Sequence, residues 1–101
     1  MTTMKTCKRI EIVIESALAG KLTTLLKELG APGYTLIPEV RGAGDRGVRR
    51  ADELTGDSSN CLIVIACDDP KTIDKILQAV RPILSRSGGI CLVSDAQCLR
   101  H

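Results

Sequence analysis

The run from Asn60 to Cys67, NCLIVIAC, restricts the fold more than any other segment. It is apolar on both faces, so it reads as a central strand, covered on one side by helices and open on the other to a partner chain. The rest of the chain is arranged around it. From Lys8 to Glu15 the sequence alternates, with Ile10, Ile12 and Ile14 on one face and Arg9, Glu11, Val13 and Glu15 on the other, which predicts a half-buried strand. Ser16 is placed as an N-cap, and Leu18, Leu22, Leu25, Leu26 and Leu29 recur at helical spacing, predicting a helix over 17–29 that stops at Gly30. After the turn Ala31-Pro32-Gly33, Tyr34 to Val40 reads as a second strand, which Pro38 pushes to an edge or a bulge. Asp69 caps a second helix with Pro70 in its first turn and Ile73, Ile76, Leu77 and Val80 as its buried stripe. Pro82 removes the bond to the Gln78 carbonyl, so the regular helix is expected to end or kink there. Gly88-Gly89 turns the chain into a last strand, Ile90 to Ser94.

Strand, helix, strand, strand, helix, strand is an α+β, ferredoxin-like βαββαβ order, with both helices on one face of an antiparallel sheet. A chain of 101 residues has room for one such core, so residues 1–101 are read as a single domain. The other sheet face carries Leu62, Val64 and Ala66, an apolar surface that predicts a homo-oligomer.

Composition removes several function classes. Tyr34 is the sole aromatic residue, so bases have almost nothing to stack on, and an RNA module of the same strand order is disfavoured. A net charge of +2 implies no non-specific nucleic-acid or membrane partner. No apolar run approaches a membrane span and Met1 to Lys8 lacks a secretory core, which places the protein in the cytoplasm. Cys7, Cys61, Cys67, Cys91 and Cys98 sit mostly in strand patterns without a CxxC, predicting buried reduced thiols and no metal site. The single histidine, His101, is terminal, and Asp68-Asp69 is read as a cap, so no catalytic residue is assigned.

Residues 42–59 lack apolar periodicity and form a long loop. In RGAGDRGVRR, Arg41 to Arg50, the glycines at 42, 44 and 47 let backbone approach a ligand, and Arg41, Arg46, Arg49 and Arg50 offer forked donors to an anion. The competing reading is a solvated loop whose arginines pair with Asp45, Asp52, Glu53 and Asp57. Eighteen residues without an element of their own favour a functional loop.

With Gly33-Tyr34-Thr35, Gly42 to Arg49 and the Ser87-Gly88-Gly89-Ile90 turn, the chain resembles the PII signal-transduction superfamily over residues 8–100. It is most similar to the PII-like branch associated with inorganic carbon, the bicarbonate-transporter regulators and carboxysome-associated PII proteins. The resemblance implies a homotrimer, a T-loop at 42–59, and adenine nucleotides in the clefts between subunits. It places Thr35 at the base, Gly42, Ala43 and Gly44 at the loop base, and Arg46, Gly88, Gly89 and Arg100 at the phosphates. Arg41, Arg46 and Arg49 are the implied holders of bicarbonate. The loop has no Tyr to modify, and Ile90 stands where the nitrogen-sensing proteins carry a Lys after the glycines, so ADP or AMP is favoured over ATP, with cyclic AMP a further candidate. No redox switch of the kind some transporter regulators build on a C-terminal Cys extension is expected. The implied role is a non-enzymatic sensor whose T-loop contacts a target protein, with a bicarbonate transporter or a carboxysome-associated protein as candidates and no nucleic acid. A contact with a transporter would bring it to the membrane periphery. The alternative class is a small enzyme of ferredoxin-like fold that cradles phosphate in the loop.

Overall fold

The computed structural model describes residues 3–42 and 59–99. Its elements are β1 (Lys5–Glu15), a 3-10 turn (Ser16–Leu18), α1 (Ala19–Glu28), β2 (Thr35–Val40), β3 (Asn60–Cys67), α2 (Pro70–Ser87) and β4 (Ile90–Cys98). The strands form an antiparallel sheet in the order β2-β3-β1-β4. The α+β order expected from the sequence is the one observed.

The two apolar parities of the central strands explain the layers. Ile10 lies opposite Ile65, Ile12 opposite Ile63 and Ile14 opposite Cys61. These residues are buried with Leu22 and Leu26 of α1 and Ile76 and Val80 of α2. Cutting any of the fully buried Ile or Leu side chains back to Ala costs about 2–5 kcal/mol, because the transfer loss is joined by a cavity.

Several local expectations hold for the stated reasons. Gly30 closes α1 at φ 84°. Asp69 caps α2, its carboxylate accepting from the Thr72 N–H at 3.3 Å and from the Thr72 hydroxyl at 2.6 Å. These bonds, the hydroxyl first, hold the Asp69 carboxyl below its ordinary pKa. Pro38 does both things allowed to it, since β2 is an edge strand and its register shifts between Ile37 and Val40, with Glu39 at φ 57°.

Other expectations are corrected. Ser16 is not an N-cap but opens the 3-10 turn, with no side-chain cap bond, and α1 begins only at Ala19. Pro82 does not end the helix, which runs to Ser87. Pro82 and Gln78 lie on the exposed side, where water can serve the released carbonyl, while Ile83 and Leu84 beyond the proline pack on the core. β4 extends past Ser94 to Cys98 because its ladder with β1 continues to the pair Lys5 and Cys98, with a Lys8–Asp95 ion pair on the way.

Candidate functional site

The 42–59 segment follows β2, which ends at Val40, and leads back into β3, which begins at Asn60. Its return is pinned: the Ser16 N–H donates to the Ser59 carbonyl at 2.9 Å, and the Ser59 hydroxyl donates to that of Ser16 at 3.0 Å. Ser16, placed as a cap from sequence, is therefore an anchor for the loop base. Nothing in the sequence pairs two serines so far apart.

Among the predicted site residues, Arg41 and Gly42 are exposed immediately after β2. Thr35 is exposed at the start of β2, opposite Val64 on the face away from the helices. Gly88 and Gly89 join α2 to β4 with φ values of 82° and 111°. Ala43, Gly44, Arg46, Arg49 and Arg100 lie outside the described residues.

The two glycine segments differ in what the fold asks of them. A Cβ on Gly89 would meet the Val13 carbonyl oxygen at 2.3 Å, with Leu84 and Ile14 side-chain carbons at 3.2 and 3.3 Å. Its left-handed backbone disfavours a side chain as well. Packing alone thus demands glycine at 89. At Gly42 no atom of the described residues lies within 4 Å of the same added carbon, and the backbone is not left-handed.

The sheet register sets how these residues can meet. Val40 lies opposite Asn60, which lies opposite Glu15, and Val13 lies opposite Ile90, so the loop base and the Gly88-Gly89 turn share one end of the sheet. They occupy opposite edges, three strand spacings or about 14 Å apart. Cys98 lies opposite Lys5 at the other end, ten residues along β1 from Glu15, which is about 33 Å. Within one chain the end of β2 and the end of β4 are therefore diagonal corners of the sheet. A shallow groove lined by Gly20, Lys21, Thr24, Leu25 and Glu28 on α1 includes none of the predicted residues.

The face away from the helices is apolar near the loop end. Ile37, Leu62, Val13 and Ile90 form a continuous row across all four strands, and Leu92 and Val64 flank Glu11 in the next. Ile37, Ile90 and Leu92 are 43%, 49% and 51% exposed. Among the described residues no helix is long and apolar enough to cross a membrane.

A four-stranded antiparallel sheet in the order β2-β3-β1-β4, backed on one face by two helices, is a ferredoxin-like fold, the one that PII proteins have. A family model for nitrogen regulatory protein P-II matches residues 7–101, and the chain belongs to that family. No curated protein matches the sequence significantly. Among solved structures, the chain is similar to CPII bound to ADP and bicarbonate from Thiomonas intermedia K12, at 25% identity over 99% of this chain and 95% of that one, with a TM-score of 0.82. A PII-like signaling protein from Thermus thermophilus is 30% identical, covering 96% of this chain and 93% of that one at a TM-score of 0.76. The ATP complex of GlnK from B. subtilis shares the fold at 21% identity and a TM-score of 0.65, covering 90% of this chain and 82% of that one. The family match and the CPII neighbours fit the inorganic-carbon branch that the glycine and arginine motifs suggested.

Proposed function

We propose that the chain is a trimeric, non-enzymatic sensor that binds ADP or AMP between subunits, with bicarbonate as a second ligand, and signals through the 42–59 loop in inorganic-carbon metabolism. The observation that carries the reading is the corner geometry. The end of β2, which leads to Gly42, Gly44 and Arg46, and the end of β4, which leads to Arg100, stand about 33 Å apart along the strands of one sheet. In the proposed trimer one chain's loop base meets another chain's β4 end, and the Ile37, Leu62, Val13 and Ile90 row lies in the contact between sheets. Burying that row also removes an exposed apolar surface from water.

In the site so formed, Thr35 reads the base while Gly42, Ala43, Gly44, Gly88 and Gly89 bring backbone to the phosphates. Arg46 and Arg100 supply the positive charge, and Arg41 and Arg49 stand with Arg46 for bicarbonate. The CPII structure with ADP and bicarbonate supports this pairing of ligands. The ligand acts by population shift, ordering the loop only to the extent that it binds the ordered arrangement better. A target protein, with a bicarbonate transporter or a carboxysome-associated protein as candidates, then reads the loop from the cytoplasm.

The test is calorimetric titration of the purified chain with AMP, ADP, ATP and cyclic AMP, with and without bicarbonate, alongside its mass by light scattering. A trimer that binds ADP or AMP more tightly than ATP, and more tightly still with bicarbonate, is expected. A folded chain with no nucleotide heat overturns the reading.

A further inference from the structure

Cys7 and Cys98 lie 91 residues apart in sequence, yet their sulfurs approach to 2.9 Å. The β1–β4 register produces the encounter. Lys5 faces Cys98 and Cys7 faces Ala96, so the two cysteines are diagonal neighbours on the sheet face away from the helices. Cys7 is 5% exposed and Cys98 is half-buried. Cys61, Cys67 and Cys91 belong to the opposite, helix-facing parity. Burial also pushes the Cys61 and Cys91 thiols up, which lowers their nucleophilicity at neutral pH. The apolar row that would join subunits lies near Val13, six residues or about 20 Å along β1 from Cys7 on the same sheet face.

We infer that Cys7 and Cys98 form a reversible disulfide by exchange with a small-molecule disulfide such as oxidised glutathione. The more accessible Cys98, as thiolate, attacks one sulfur of the reagent. A Cys98 mixed disulfide forms and the first small thiol leaves, taking up the proton that Cys98 released. Cys7, losing its proton, then attacks Cys98 Sγ and expels the second small thiol, which takes up that proton. Two protein thiols are oxidised and one reagent disulfide is reduced, so electrons and protons balance. The sulfurs need to close by roughly 0.9 Å to reach the bond length of about 2.05 Å. The bond ties the start of β1 to the end of β4 at one end of their ladder, where strand ends otherwise fray. Cys98 lies two positions before Arg100, so, on the nucleotide-site reading above, oxidation also fixes the segment that carries this phosphate ligand.

The experiment treats the full-length chain with oxidised glutathione, alkylates the remaining thiols, and maps the products by mass spectrometry without reduction. The expected product has lost two hydrogens, links Cys7 to Cys98, and reverts with dithiothreitol. Its melting temperature rises by roughly 10 °C, because the bond closes a long loop. Amide exchange slows at the Lys5–Cys98 end of the β1–β4 ladder. Cys98→Ser, which changes a half-buried position and keeps the fold, abolishes all three effects. Free Cys7 and Cys98 after treatment, a persistent glutathione adduct on Cys98, or a link through Cys61, Cys67 or Cys91 overturns the inference. None of these readouts involves a nucleotide, so they fail or succeed independently of the sensor assignment.

Discussion

The missing side chain of Gly89 makes room for the carbonyl oxygen of Val13, which a Cβ would approach to 2.3 Å. The overlap is with backbone of a central strand, so it cannot be relieved by a rotamer change. Together with φ of 111°, it predicts that Gly89→Ala destabilises the chain by about 2–4 kcal/mol, read as a lower urea midpoint at unchanged slope. Glycine here serves packing before it serves any ligand.

Gly42 gives the opposite expectation. An added methyl meets none of the described residues and sits on an ordinary backbone, so Gly42→Ala should change stability by no more than about 0.5 kcal/mol. Any loss of ADP affinity in this variant then reports on close backbone approach to the nucleotide. Paired urea and calorimetric measurements separate the two effects.

Leu92 is half exposed opposite Glu11 on the uncovered sheet face. Leu92→Lys places a cation beside that carboxylate, which the isolated fold tolerates, and puts a charge into the proposed subunit contact. Light scattering should show the variant shifted from trimer to monomer while its circular dichroism is kept.

Pro82 sits within α2 and denies the Gln78 carbonyl its helical partner. Pro82→Ala restores that bond on an exposed face and should stabilise the chain by about 1–2 kcal/mol after the greater freedom of the unfolded state is allowed for. Thermal and urea unfolding check it.

Pro82 also shows where sequence reasoning reaches its limit. The rule that proline ends a helix is local, whereas the apolar stripe continuing through Ile83 and Leu84 acts across the core and prevails. Element order, the two-sided Asn60 to Cys67 strand, the Pro38 bulge and the Asp69 cap were legible because each rests on neighbours in sequence. β4 beyond Ser94 was not, since Asp95, Ala96 and Gln97 show no apolar alternation and are held by pairing with β1. The Ser16–Ser59 anchor and the Cys7–Cys98 encounter are likewise products of register. For the site, the glycine and arginine motifs pointed to the loop base and the Gly88-Gly89 turn. Only the sheet shows that these occupy opposite edges, and that the packing need at Gly89 is separate from ligand binding.

The central claim is that each nucleotide site is shared between chains, and subunit mixing tests it most directly. Arg46→Ala and Arg100→Ala, each alone, should weaken ADP binding by roughly 10-fold or more if each makes a charge-assisted bond. Trimers reassembled from equal amounts of the two variants should recover a fraction of sites with parental affinity, because one chain supplies Arg46 and its neighbour Arg100. If both variants bind weakly alone and the mixed trimers recover no parental sites, the two arginines act within one chain and the shared-site account is contradicted.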